Sequence, residues 1–555
     1  MRKALHFFFF LIFISEFSIA QISPSIPSGV RIIEIIEGDN LSSTSIDSLT
    51  QIETISGNVV LREGTTLFTC NKAIINRRYN TMEAFGNVRI NQGDSVFTSS
   101  EYIKYLGNER IAYLKRNVKL TDKRSTLTTQ ELEYDLATSI AKYNNGGRVV
   151  NEKTVLTSKQ GVYYEDTKDV YFINNVTVVD PKTNIKADSL LYNTQTQNLI
   201  FIGPTYIKNK DGNIFTTQGS YDLKAGNAFF GNRTLFKDSS GRSYVANSTV
   251  IDDKLGQVQM EGNAIISDSA NSLIVIGNQI FLNKNNNSFL ATVKPVLIIW
   301  QDKDTTYITG DTLFSGFTKK VNSDNIIPKS DSVVNDSISL ITDTLKVKVT
   351  GKNMVRNVTG NQEIADTSIR YFLAYHNVKI FNDSLQAVCD SLFYSGADSV
   401  FRLFYDPVIW SGKNQVTGDT IFLYTKNKKM ERVYVFENGL MVNKINTEFY
   451  NQISGKTING YFNDGVIDYM RVKGSPAESI YYVQDKDSAF TGMNNADGSV
   501  IDMFFKNQQL DKVKFINDVH GKLYPIRQIP NDKKFLKKFV WLDKRRPKNK
   551  LELFE

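Results

Sequence analysis

The sequence predicts an all-β chain, an elongated β-solenoid or open β-jellyroll stacked from units of about 29 residues. Three observations predict it: a phrase that recurs at a near-constant interval, a second phrase of alternating apolar residues between its copies, and almost no helical patterning. The first phrase is a small residue, a polar residue, any residue, an apolar residue, any residue, and an aromatic or apolar residue. It stands at Cys70–Ile75, Ser100–Tyr105, Thr129–Tyr134, Ala187–Tyr192, Gly277–Leu282, Gly310–Ser315, Cys389–Tyr394 and Gly418–Leu423. Weaker copies begin near Ser158, Thr217, Ala246, Gly351, Gly455 and Gly492, so the first eight steps are 30, 29, 29, 29, 30, 29, 31 and 33 residues.

The second phrase is Gly or Asn followed by alternation. It reads Gly57-Asn-Val-Val-Leu61, Gly86-Asn-Val-Arg-Ile90, Asn117-Val-Lys-Leu120, Asn175-Val-Thr-Val178, Gly262-Asn-Ala-Ile-Ile266 and Asn377-Val-Lys-Ile380. Asp406-Pro-Val-Ile-Trp410 and Gly439-Leu-Met-Val442 are variants. Alternation gives a strand with one buried face, and Gly-Asn supplies the permissive backbone of a turn or bulge. Each unit therefore reads as two or three short strands. Such a unit buries its apolar face only by stacking on its neighbours. About fourteen units at ~4.8 Å per strand give a rod of roughly 70 Å, or twice that with two strands per sheet per unit.

The regularity breaks once, over residues 320–345, which are rich in Ser, Asp and Asn and suit a linker or a surface insertion. The expected organisation is a signal peptide at 1–20, an N-terminal array at 21–319, the linker or insertion at 320–345, a C-terminal array at 346–530 and a basic tail at 531–555. The signal peptide rests on Arg2 and Lys3, the apolar run Phe7–Phe13, and small residues at Ser18 and Ala20, with cleavage after Ala20. The protein is expected to be exported to the periplasm.

Composition excludes several classes. Of the net charge of +8, the tail carries +5, because residues 531–555 hold nine Lys or Arg against four acids. A nearly neutral body argues against nucleic-acid binding, which needs a basic face. Two cysteines exclude a disulfide scaffold. Cys70 and Cys389 share the small position of the first phrase and are expected to be free, buried thiols. After the signal peptide only His376 and His520 remain, with no nucleophile elbow and no phosphate loop. No enzyme, cofactor or metal is expected. Asp188, Asp311, Asp390 and Asp419 stand second in their copies, but Asn71, Glu101, Gln130 and Asn278 fill the same slot, which asks for polarity rather than for a cation ligand.

On these phrases and their period the chain resembles the OstA-like family, the periplasmic lipopolysaccharide-transport proteins and the N-terminal domain of their outer-membrane partner. The resemblance is clearest over about residues 55–282 and returns over about 371–442. It implies an open β-jellyroll whose interior binds lipopolysaccharide acyl chains and passes the lipid toward the outer membrane. It also implies lipid A, the inner-membrane Lpt complex and the outer-membrane assembly protein as partners, with head-to-tail stacking of modules. The array is two to three times longer than a usual bridge module. About 50 residues after the repeats are too few for a transmembrane barrel.

The inward positions Val59, Leu61, Val88, Ile90, Val118, Leu120, Val176, Val178, Val378 and Ile380 line that groove in this reading. The residues alone favour the closed, dry core of a solenoid, which would make the chain an exported adhesin, glycan-binding or structural protein, and the resemblance reverses that preference. In the tail, Phe535, Leu536, Phe539 and Leu542 recur at helical spacing among lysines. That suits a basic amphipathic helix on an anionic surface, a capping helix or a frayed end.

Overall fold

The structure is a computed structural model that describes residues 32–93, 96–301, 304–319, 368–426, 429–506 and 509–554. The expected signal peptide and the stretch 320–345 lie outside the described residues. The chain packs as two compact units. One takes residues up to Glu152 together with Lys159–Lys168; the other takes Lys153–Ser158 and everything from Asp169. This division differs from the one at 320–345. The strands on either side of that stretch, Thr312–Lys319 and Ser368–Phe381, pair directly over eight residues.

In the first unit the chain is an antiparallel meander. Gln51–Glu63, Thr66–Asn76, Thr81–Gln92, Val96–Leu106, Ile111–Asp122 and Ser125–Asp135 each pair with the next. The repeat thus gives two long strands per unit, not two or three short ones. Each strand bends at its middle, and the two phrases of the repeat meet at that bend. Gly57 and Asn58 oppose the single residue Asn71, because the register jumps from Ser56↔Lys72 to Val59↔Cys70. Gly86 and Asn87 do the same between Asn71 and Glu101.

Two consecutive residues with left-handed backbone make this bulge: φ is +78° and +49° at Gly57-Asn58, and +72° and +50° at Gly86-Asn87. Glycine and asparagine tolerate that region best, which explains the phrase. The polar second slot of the first phrase accepts from the bulge asparagine. Asn87 Nδ2 donates to Asn71 Oδ1 (3.4 Å) and Asn117 Nδ2 to Glu101 Oε1 (2.5 Å). In the second unit Asn377 Nδ2 donates to Asp311 and Asn438 Nδ2 to Asp419. The slot asks for an acceptor, and Asp, Asn and Glu all supply one.

The second unit continues the same pattern from Asp169–Val179 to His520–Pro525. Its distinguishing feature is the tail. The helical spacing of Phe535, Leu536, Phe539 and Leu542 does not give a helix: the described tail has only the 3₁₀ turns Asn531–Lys533, Asp543–Arg545 and Lys550–Leu553. Between them the backbone runs across the strands of the sheet, on the face opposite the interior. Buried glutamines hold it there. Gln452 Nε2 donates to Lys534 O (2.9 Å) and its Oε1 accepts from Leu536 N (2.9 Å). Gln415 repeats the clasp with Val540 O (2.9 Å) and Leu542 N (2.7 Å). These bonds, with the turn that Phe539 N closes on Leu536 O, hold the backbone in bends and single turns instead of a continuous helix, and that overrides the spacing.

Beneath the tail lie Val388, Val408, Trp410, Leu440 and Val442, all buried. The runs Val408-Ile-Trp410 and Leu440-Met-Val442 are apolar without alternation because both faces of these strands are covered.

Candidate lipid-binding interior

The interior is built from alternate side chains of the bent strands. All ten positions expected to face inward are buried, none more than 5% exposed: Val59, Leu61, Val88, Ile90, Val118 and Leu120 in the first unit, and Val176, Val178, Val378 and Ile380 in the second. Their neighbours between point out; Arg89 and Lys119 are exposed. Cross-strand partners complete each layer. Leu61 faces Phe68, Phe68 faces Ile90, and Leu120 faces Leu127.

Cys70 stands opposite Val59 and Cys389 opposite Val378, so one slot of the repeat appears twice with the same neighbour. Both thiols are free and buried, and burial pushes them up to about 11 and about 12. On the other side of the bend, Ile55, Ala73, Ile75, Ala84, Ile103, Ala112 and Leu114 are equally buried. In the described conformation the side chains of the two halves meet.

The free ends of the two halves meet at a seam that the sequence reading passed over. Tyr105, Tyr134, Tyr163, Tyr192 and Tyr221 stand 29 residues apart and are each less than 9% exposed. In the first unit their phenols reach across to the hairpins at the opposite ends of the strands. Tyr105 donates to Glu63 Oε2 (2.5 Å) and Tyr163 to Asp122 Oδ2 (2.7 Å). Tyr134 lies 3.2 Å from Gln92 Oε1 and 3.0 Å from Glu165 Oε2. In the second unit the hydroxyls of Tyr221 and Thr183 are 3.3 Å apart. Burial, reinforced by the neighbouring carboxylates, raises the phenols of Tyr105, Tyr134 and Tyr163, which keeps them donors.

Burial alone would raise Asp122 too. Its bonds from Tyr163, from the Ser125 hydroxyl and from the amides of Arg124 and Ser125 outweigh that and hold it low. The signal for the seam was in the sequence. From residue 105 to residue 221 a Tyr recurs at a strict period of 29 at or beside the end of the first phrase, where packing alone would accept any large apolar residue.

Residues 31–188 match the family of OstA-like proteins. That stretch contains the first unit's meander and eight of the ten inward positions, all but Val378 and Ile380. Among solved structures, the chain is similar to LptH of Pseudomonas aeruginosa, described as the LptA-homologous periplasmic component of the conserved lipopolysaccharide transport device. The alignment has 16% identity, covers 30% of this chain and 80% of that one, and has a TM-score of 0.09. No curated protein matches. The all-β, jellyroll-like fold therefore rests on the strands themselves: bent, antiparallel and repeated. Among the described residues no group of three or more His, Cys, Asp or Glu is placed to hold a metal.

Proposed function

We propose that this protein is a periplasmic bridge for lipopolysaccharide, binding its acyl chains between the two halves of the bent sheet and passing them toward the outer membrane. One observation carries the proposal. In the first unit an apolar interior is closed at its mouth by the phenol contacts of Tyr105, Tyr134 and Tyr163, one tyrosine per 29-residue step. Each such bond contributes only about 1 kcal/mol net, or about 1.5–3 where a carboxylate accepts it. An acyl chain recovers ~0.8 kcal/mol for each CH₂ it removes from water, before binding costs. The seam can therefore open one step at a time as lipid advances.

The OstA-like match over residues 31–188 supports the same reading. The upstream Lpt complex would supply energy, and the outer-membrane assembly protein would receive the lipid. Among the described residues the exposed strand Asn40–Ser45 and the strand His520–Pro525 pair on one side only, and each offers an edge for head-to-tail stacking.

The burial of all ten inward positions also suits the second reading, a closed structural or glycan-binding β-protein. Photo-crosslinking in cells separates them. A crosslinker at Ile90 or Leu120 should capture lipopolysaccharide, and one at Arg89 or Lys119 should not. Capture only from Arg89 or Lys119 would discard the interior route.

A further inference from the structure

The tyrosine seam stops after Tyr221. The next position at the 29-residue step is Val250, which is 48% exposed and has no hydroxyl. Ionic groups take over the mouth there. Lys284 Nζ lies 2.8 Å from Asp211 Oδ2 and 3.2 Å from Asp253 Oδ1. Arg242 bonds Asp238 Oδ2 through Nε (2.7 Å) and Asn287 Oδ1 through Nη1 (3.1 Å).

Behind this rim the packing is incomplete. A cavity of about 300 Å³ is floored by Phe230, Phe236, Ile251 and Met260, and four cationic and three acidic side chains line it. All three acids are committed: Asp211 to Lys284, Asp238 to Arg242 and Tyr244, and Asp268 to Asn271 through both its oxygens. Arg370 is not. Its Nη1 donates to the Ser315 hydroxyl (3.2 Å) and its guanidinium stands 4.6 Å from the ring centre of Phe317; among the described residues it has no carboxylate at ion-pair distance. Its counter-charge is Asp268, beyond ion-pair distance and already bonded to Asn271, so the half-buried guanidinium, beside Arg242 and above an apolar floor, is under-compensated and can take an anion.

We propose that this cavity binds an amphipathic anion, with a hydrocarbon chain on the aromatic floor and its phosphate or carboxylate head on Arg370 beside Arg242. The inference rests on the reading that the interior takes acyl chains, and it names a place where the head group is recognised. The volume is at the small end of ligand pockets, ~300–1,000 Å³, which suits one short chain. Burial and the neighbouring Arg242 both disfavour the charged form of Arg370, and a bound anion removes that penalty.

The test uses the full chain and four probes: dodecyl phosphate, dodecanoate, dodecanol and inorganic phosphate. Both anionic chains should bind, dodecanol about tenfold or more weakly, and inorganic phosphate not measurably. Arg370→Gln should weaken the two anions about tenfold or more and leave dodecanol unchanged, the size expected for one charge-assisted hydrogen bond. Arg370→Lys should restore most of the loss, and Phe236→Trp, which fills the floor, should weaken every chain probe.

Equal affinity for dodecanol and dodecyl phosphate, or unchanged anion binding in Arg370→Gln, would overturn the site. So would inorganic phosphate binding as tightly as dodecyl phosphate, which would make the chain irrelevant. Lipopolysaccharide captured from Leu120 together with an indifferent Arg370→Gln removes this site and leaves the bridge standing. Arg370-dependent probe binding without capture from Leu120 does the reverse.

Discussion

Removing one phenol from the seam should weaken the first unit by an amount the geometry fixes. In Tyr163→Phe the ring still fills its place, 5% exposed, but Asp122 Oδ2 loses its 2.7 Å donor. Asp122 is itself only 8% exposed, and its other bonds, from Arg124 N, Ser125 N and Ser125 Oγ, all go to Oδ1. A hydrogen bond to a charged group contributes about 1.5–3 kcal/mol. For a unit of this size each kcal/mol moves the midpoint about 2–4 °C, so a loss of roughly 3–12 °C is expected at pH 7.

The pH dependence supplies a second check. Asp122 is held below its unfolded value of about 3.9, so its contribution is present above that pH and is lost as pH falls through the folded value. The gap between wild type and variant should therefore close in acid. Circular dichroism melts of both proteins at pH 7 and pH 3 measure it. A midpoint within 1 °C of wild type at pH 7, or an equal gap at both pH values, would refute the reasoning.

Other consequences are as direct. Raised phenols at Tyr105, Tyr134 and Tyr163 give stability that is complete below pH ~10 and lost as pH rises further, so strand content should fall above pH 10, and less in a triple Phe variant measured against its own neutral baseline. Arg116 occupies the glycine place of the bulge at φ +64°, so Arg116→Gly should stabilise by up to about 1 kcal/mol, while Gly86→Ala, at φ +72° with its Cβ 2.7 Å from Asn71 Nδ2, should cost about 1–2 kcal/mol; urea titrations give both signs. Cys70 and Cys389, buried and pushed up to about 11 and about 12, should resist iodoacetamide at pH 8 in the folded protein and react at two equivalents in guanidinium. Deleting 531–555 uncovers Trp410 and removes the buried Leu536, which alone contributes about 1.5–3 kcal/mol, so the second unit should melt earlier and bind hydrophobic dyes; unchanged lipopolysaccharide binding by the truncated chain would exclude the tail from lipid contact.

The period and the alternation were enough to place the ten buried positions of the second phrase, because a strand with one buried face has only one register that hides Val59 with Leu61 or Val118 with Leu120. The bulge was legible as Gly-Asn. Its partner was not, since nothing local says that Asn71 and Glu101 stand opposite that pair. The seam escaped for a different reason. A tyrosine at a buried position reads as packing until its hydroxyl is seen to meet Asp122, 41 residues earlier in the chain. The tail misled because its spacing is a local signal, whereas Gln415 and Gln452, which hold its backbone on the sheet, lie more than 80 residues away.

The central claim is that lipid enters by parting the seam. Spin labels at the exposed residues Lys123 and Asp166 flank the contact between Asp122 and Tyr163. Pulsed electron resonance on the purified full chain, without and with lipopolysaccharide, reads the distance between them. Lengthening of that distance on lipid binding, more readily in Tyr163→Phe, is the expected result. An unchanged distance with lipopolysaccharide bound would contradict it.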